Sequence, residues 1–229
     1  MYELLIDIIL HVLNIEVEVI RKCNVIHPII TSNHISEFDP VVLFYVLRND
    51  KIRYIANVDV MKIPLFNAIC EFFKVIFIEQ NKQLALDALT RQLKSTDTVC
   101  IFPEGTLLYK SSAERSDVYC EKTGFPKFKN VIAPRETGFT KIQEIMKQTG
   151  CKYTDITLIY DVDTRQLVEP MTIMEMLRLR PKKVKVIIDE SDLSITETFR
   201  RKDDLIETYR NVPSNSFVEQ IRLLFQGWT

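Results

Sequence analysis

The sequence predicts an α/β layered domain. Short bursts of β-branched and aromatic residues alternate along it with segments whose apolar residues recur at helical spacing. The 229 residues are 46% hydrophobic and 10% aromatic, enough to close one substantial core. Internal repeats, low-complexity runs and Gly/Ser linkers are absent, so one domain is expected.

Taken in order, residues 1–24 are expected to form an amphipathic helical segment, followed by the main domain over 25–229. The opening Tyr2-Glu3-Leu4-Leu5-Ile6-Asp7-Ile8-Ile9-Leu10-His11-Val12-Leu13 is interrupted by Asp7 and His11. It falls short of the roughly 18–20 continuous apolar residues of a membrane span and lacks the basic start of a signal peptide. Two readings stay open: a helix lying on a membrane surface, or a first helix packed on the core. Strands are expected over 25–31, 52–56, 74–78, 98–102, 130–133, 153–160 and 184–188, each short and β-branched or aromatic. Helical spacing marks 41–48, 65–73, 82–93 and 140–147. Closing helices run from about residue 199, broken near Pro213.

A net charge of −1 supplies no global field toward nucleic acid or anionic membrane. The five cysteines are an odd number, widely spaced and without a Cys-x-x-Cys pair, which fits reduced thiols buried as small hydrophobes. Acidic residues and histidines are too scattered for a metal site, and neither a phosphate-binding loop motif nor a dinucleotide fingerprint occurs. No metal and no redox cofactor is expected.

The chemistry concentrates in Asn33-His34-Ile35-Ser36-Glu37-Phe38-Asp39, directly after an apolar, strand-like run, and in Phe102-Pro103-Glu104-Gly105-Thr106. An imidazole titrates near neutrality and can take a proton from an alcohol. A carboxylate on its other nitrogen would fix the tautomer and favour the cation formed during transfer. Neither motif contains a cysteine, and no serine sits in a Gly-x-Ser-x-Gly elbow, so the activated hydroxyl is assigned to a substrate. Acyl transfer onto an alcohol follows. Asp39-Pro40 also reads as the cap and first turn of a helix, a role compatible with holding His34. Glu104 could hold a substrate hydroxyl or fix the turn. Backbone N–H groups near Gly105 and Thr106 are candidates for an oxyanion or a phosphate.

These motifs, in order, resemble the glycerolipid acyltransferases that act on lysophosphatidic acid and other lysophospholipids. The likeness covers about residues 25 to 165. It extends through Ile52-Arg53-Tyr54-Ile55-Ala56, Lys62-Ile63-Pro64-Leu65-Phe66, Phe77-Ile78 and Val131-Ile132-Ala133-Pro134. More narrowly, Arg115-Ser116, Glu121-Lys122-Thr123-Gly124, Pro134-Arg135-Glu136-Thr137-Gly138-Phe139, Asp155-Ile156-Thr157 and Tyr160-Asp161 resemble the branch containing lysocardiolipin acyltransferase.

The resemblance implies a mixed, mostly parallel sheet flanked by helices. It implies His34 as general base, Asp39 as its orienting partner, acyl-CoA as co-substrate and a lysophospholipid as acceptor. Glu104, Gly105, Thr106, Arg135, Arg115, Lys82 and Gln80 become candidates for holding that acceptor, with Lys62 and Arg53 as further cations. Ile63-Pro64-Leu65-Phe66 with Phe72-Phe73 could line an acyl groove. Gln80 stands where the family places an arginine linked to the acceptor phosphate, and Asn57 where many relatives carry lysine. These departures put lysophosphatidic acid itself in doubt as the acceptor. A transacylase that needs no CoA, a lipid-binding relative without turnover and a phospholipid hydrolase are the alternatives. The likeness further implies peripheral or monotopic contact with the cytosol-facing surface of an internal membrane, the endoplasmic reticulum first.

Overall fold

The computed structural model describes residues 2–48, 52–57, 75–78, 98–136, 139–140, 142–144, 152–179 and 181–211. Helix α1 (Tyr2–Leu13) leads into strand β1 (Glu16–Arg21), then β2 (Ile29–Ser32), helix α2 (Asp39–Leu47), β3 (Ile52–Asn57), β4 (Ile76–Ile78) and β5 (Thr98–Ile101). There follow helix α3 (Lys110–Thr123), β6 (Tyr153–Tyr160), a 3-10 turn (Thr164–Gln166), helix α4 (Ile173–Leu179), β7 (Lys183–Ser191) and helix α5 (Ile195–Asn211). The described strands form one sheet in the order β1-β7-β6-β2-β5-β3-β4. Every pairing is parallel except β6 with β7. The expected mixed, mostly parallel α/β architecture is what the chain adopts.

Alternation along the central strands explains why both faces are covered. Ile30, Cys100, Ile156, Leu158, Val184, Val186 and Ile188 point into one core, shared with Ile6 and Leu10 of α1, Val42, Leu43 and Val46 of α2, and Met176 of α4. Their neighbours Ile29, Val99, Tyr153, Ile159 and Ile187 point the other way, onto Phe139 and onto Ile195, Phe199 and Ile206 of α5. Successive side chains of a strand face opposite sides, and a parallel sheet needs helices on each. Helix α5 is also held by a buried ion pair. Lys202, 1% exposed, reaches Asp155 at 2.6 Å, and Asp155 accepts the Thr31 hydroxyl at 2.7 Å.

Two segments depart from expectation. The helical reading of residues 1–24 holds only to Leu13, after which Glu16–Arg21 pairs in parallel with β7 as an edge strand. Its alternation of Glu16, Val17, Glu18 and Val19 is itself a strand pattern, and Lys183 and Lys185 ion-pair with Glu18. Residues 130–133, expected as a strand, form a loop. Their N–H groups are met by side chains instead of a neighbouring strand: Asn130 by Asp203, Ile132 by Glu104 and Ala133 by Ser116. Helices α3 and α4 add to the helices expected from periodicity. Helix α1 satisfies the core reading with Ile6 and Leu10 while leaving Leu4, Ile8 and Val12 exposed. No helix among the described residues is long and apolar enough to cross a membrane.

The topology delivers both sequence motifs to one place. Strands β2 and β5 are parallel neighbours, with Thr31 opposite Ile101. The loops leaving their carboxyl ends therefore emerge side by side, the usual position of a site in an α/β sheet.

Candidate active site

At the end of β2, Asn33 continues the ladder with its side chain. Its amide oxygen accepts the Leu158 N–H at 2.8 Å and its amide nitrogen donates to the Leu158 carbonyl at 2.9 Å. This frees the backbone to turn, and the turn is closed by Asp39, which is fully buried. Asp39 Oδ2 accepts three donors: His34 Nδ1 at 2.9 Å, Ile35 N–H at 2.7 Å and Ser36 N–H at 3.0 Å. Its Oδ1 accepts the Tyr160 hydroxyl at 2.7 Å. Because an ionised carboxylate only accepts, Nδ1 carries the proton and Nε2 keeps a free lone pair. The His34 ring stacks on Phe102 with centroids 4.1 Å apart and 17° between planes, and its side chain is 21% exposed. The imidazole is thus fixed at one nitrogen and one face, and open elsewhere.

The helix-cap expectation for Asp39 is corrected by this geometry. Helix α2 starts at Asp39 with Phe38 as its N-cap residue and no side-chain cap hydrogen bond. The carboxylate turns back onto the loop because three donors there outcompete the helix end. Tyr160 is the partner that the sequence reading left without a role. Burial first, then the Asp39 charge and hydrogen bond, push its phenol well above the ordinary range, so it remains a donor. It lies 121 residues beyond Asp39, and only the parallel pairing of β2 with β6 brings them together.

The second motif supports the first from behind. Glu104, 3% exposed, accepts the His34 N–H at 2.6 Å on one oxygen and the Ile132 N–H at 3.1 Å on the other. Of the two roles open to it, fixing the turn matches these contacts, since main-chain donors occupy both oxygens. Burial pushes its carboxyl up to about 8, opposed by the His34 and Ile132 N–H groups and by the Lys202 charge. The Gly105 N–H is spent inside the turn on the Phe102 carbonyl at 3.0 Å. The Thr106 N–H donates to no other described residue. Gly105 takes φ +68°, and a Cβ there would lie 2.8 Å from Arg135 Nε. Arg135 is therefore gathered onto the motif.

Arg115 is not gathered in this way: its guanidinium holds Ser111 at 2.6 Å and the Tyr109 hydroxyl at 3.3 Å at the start of its own helix. Arg53 lies on β3. Gln80, Lys82, Lys62 and the apolar residues 63–66 and 72–73 lie outside the described residues. Three of the five cysteines, Cys23, Cys100 and Cys120, are free and buried, as expected for them. Burial pushes the Cys100 thiol far up, which disqualifies it as a thiolate nucleophile. No group of three or more metal-ligating side chains occurs among the described residues.

The acyltransferase family model matches residues 14–159. The chain is 26% identical over 201 residues to a probable 1-acyl-sn-glycerol-3-phosphate acyltransferase 5 of Arabidopsis thaliana, covering 79% of this chain and 53% of that protein. It thus spans about half of that relative. A 47-residue stretch is 45% identical to lysocardiolipin acyltransferase 1 of Danio rerio, covering 20% of this chain and 12% of that protein. The fold resembles the crystal structure of the 1-acyl-sn-glycerophosphate (LPA) acyltransferase PlsC from Thermotoga maritima. That similarity has a TM-score of 0.50 at 14% identity, over 86% of this chain and 74% of the other. With the family model covering more than half of its length and spanning both motifs, this chain belongs to the acyltransferase family.

Proposed function

We propose that this protein transfers a fatty acyl chain from acyl-CoA to a free glycerol hydroxyl of a lysophospholipid. His34 Nε2 takes the hydroxyl proton as the oxygen attacks the thioester carbonyl. Asp39 holds Nδ1–H and stabilises the imidazolium. The Thr106 N–H is the donor for the tetrahedral oxyanion, since that of Gly105 is engaged in the turn. Collapse breaks the C–S bond, and the departing CoA sulfur takes the proton from His34. The ester forms, and no further reactant is required.

The observation that carries this reading is the 2.9 Å contact between His34 Nδ1 and a fully buried Asp39, itself held by Ile35, Ser36 and Tyr160. A carboxylate built into four donors is an orienting group, not a surface partner. The names of the Arabidopsis, zebrafish and Thermotoga relatives support the acceptor class. Exposed Ile173, Met174 and Leu177 support a lipid surface at the mouth of the site. They adjoin the His34–Asp39 loop, because Ser36 bridges Met171 and Glu37 accepts the Ile173 N–H. Peripheral contact with an internal membrane belongs to the same proposal.

Mass-spectrometric product analysis of the purified chain, with acyl-CoA and a panel of lysophospholipids, tests it. A diacyl product from the wild type, absent from His34→Ala and absent without acyl-CoA, is expected. Product that persists without acyl-CoA would assign a transacylase instead. Equal product from His34→Ala would remove the dyad from the chemistry.

A further inference from the structure

We propose that Phe102, supported by Tyr54, is a positioning residue for acyl transfer. Its ring face fixes the plane of His34 and stabilises the imidazolium formed as the acceptor hydroxyl gives up its proton. This role rests on the acyl-transfer reading above and assigns one face of the general base.

The first observation is a set of three near-parallel rings. His34 lies on Phe102 with centroids 4.1 Å apart and 17° between planes. Phe102 lies beside Tyr54 with centroids 6.4 Å apart and 13° between planes.

The second is register. Ile30, Cys100 and Tyr54 are partners across β2, β5 and β3. Phe102 follows Cys100 by two residues, the spacing that keeps side chains on one face, and packs onto the same core. His34 leaves the end of β2 beside it. The three rings come from neighbouring strands, so the sheet sets their spacing.

The third is anchoring. Tyr54 is 3% exposed, and its hydroxyl donates at 3.1 Å to the carbonyl of Pro40, the residue after Asp39. Burial holds this phenol well above the ordinary range, so it stays an uncharged donor. The groups at the edge and at the face of the imidazole are thereby joined.

The chemistry follows from the ring quadrupole. An aromatic face is electronegative and attracts a cation within about 6 Å of its centroid. Neutral imidazole becomes imidazolium as Nε2 takes the proton, and the stacking at 4.1 Å is strongest in that state. A leucine would fill the place without such a face. Among the described residues, the charged and titratable groups placed around His34 are Asp39 on Nδ1, Tyr160 behind it and Glu37 on the same loop. Across from them are Glu104 on the main-chain N–H, Arg135 over Gly105 and Tyr54 beside Phe102. All six are retained when residue 102 is replaced, so a difference between variants reports the ring.

The pH profiles of kcat and kcat/KM for the wild type, Phe102→Leu and Phe102→Tyr decide this. The substrates are acyl-CoA and the lysophospholipid that the wild type acylates fastest. Phe102→Leu is expected to lower the plateau of kcat about threefold to thirtyfold, with both KM values within about twofold. The acid limb of kcat/KM should move toward lower pH, because loss of the face disfavours the cation. Phe102→Tyr keeps a face and should restore both plateau and limb. A lower plateau with an unmoved limb would make the ring a structural support alone and overturn the proposal. So would an unchanged plateau. If Phe102→Leu does not fold, Phe102→Met removes the face in the same way.

Titration of the imidazole by NMR needs no turnover and separates this role from the acyl-transfer reading. The chain has three histidines, and the His34 signal is the one missing from His34→Ala. If the wild type transfers no acyl chain, that reading fails. A His34 signal that titrates at lower pH in Phe102→Leu, and returns in Phe102→Tyr, would still assign stabilisation of the imidazolium to Phe102. The same titration in all three proteins would overturn it.

Discussion

The two loops that meet at His34 hold it in different ways. The loop after β2 grips the side chain, with Asp39 Oδ2 on Nδ1 and Tyr160 bracing the other carboxylate oxygen. The turn after β5 grips the main chain, with Glu104 on the His34 N–H and Phe102 under the ring. Both carboxylates are buried, but Asp39 collects four donors and Glu104 two. Burial dominates at Glu104 and raises its carboxyl to about 8. One loop sets the tautomer, the other sets the position, and substitutions in each should therefore fail differently.

The largest break is expected in the first loop. Replacing His34 by Ala should lower kcat by about 10²–10⁴, the range typical of a lost general base, with the thermal midpoint little changed. Asp39→Asn should match that loss and also destabilise the protein. A neutral amide oxygen accepts from Nδ1, Ile35 and Ser36 more weakly than a carboxylate does, and its buried NH2 group replaces the oxygen that accepted the Tyr160 hydroxyl. Single-turnover kinetics beside thermal denaturation separate the two effects. An Asp39→Asn variant with near-normal turnover would show that the carboxylate only closes the loop.

The second loop should yield less activity change and more dependence on pH. Glu104→Gln turns an NH2 group toward one of the two main-chain donors, and leaving a buried main-chain donor without its acceptor costs about 1–3 kcal/mol. A fall in kcat of roughly tenfold to a hundredfold should follow if part of that cost appears in the placement of His34. The pH signature is distinct. The folded state raises the Glu104 carboxyl from 4.5 to about 8, so it binds the proton more tightly than the unfolded chain does. The stability this contributes is fully present below about 4.5 and is lost as pH rises through about 8. Wild-type denaturant midpoints should therefore fall across that window more than those of Glu104→Gln. Parallel curves would mean that the carboxyl does not titrate there.

The same contrast explains what was legible in the sequence. His34 and Asp39 are five residues apart, and a loop that short places both side chains on one turn. The approach of the second motif to the first was expected by resemblance, and the parallel pairing of β2 with β5 supplies its physical cause. Tyr160 was legible only as the end of a strand, since its partner comes through the fold. Residues 130–133 look like a strand because Val131 and Ile132 are β-branched, yet their apolar side chains are buried from a loop. Composition reports burial there, while the hydrogen bonds are settled by Asp203, Glu104 and Ser116, residues remote in sequence. Strand β1 was hidden differently, since its alternation is half charged and its partner β7 lies at the far end of the chain.

Tyr160→Phe sharpens the comparison inside the first loop. The hydroxyl is removed from Asp39 Oδ1 while the ring still fills its buried position. A single hydrogen bond to a charged group is at stake, about 1.5–3 kcal/mol, and three other donors remain on Oδ2. Stability should fall by that amount, and kcat by less than in Glu104→Gln. If turnover drops as far as in Asp39→Asn, the phenol is part of the proton relay and not a brace.

The smallest effect is expected at Arg115, which the family likeness placed beside Arg135 as a cation for the acceptor. The two arginines differ in what they already hold. Arg115 donates to Ser111 and to the Tyr109 hydroxyl, contacts made at the surface of its own helix, α3. Arg135 lies over Gly105 on the turn that carries Glu104. Exposed contacts of the first kind contribute about 0–1 kcal/mol. Arg115→Ala should therefore leave kcat and both KM values within about twofold of the wild type and move the thermal midpoint little. A tenfold rise in the acceptor KM would show that α3 swings its first turn toward the head group when substrate binds. The division between a loop that grips the side chain and a turn that grips the main chain would then have to include the helix that follows them.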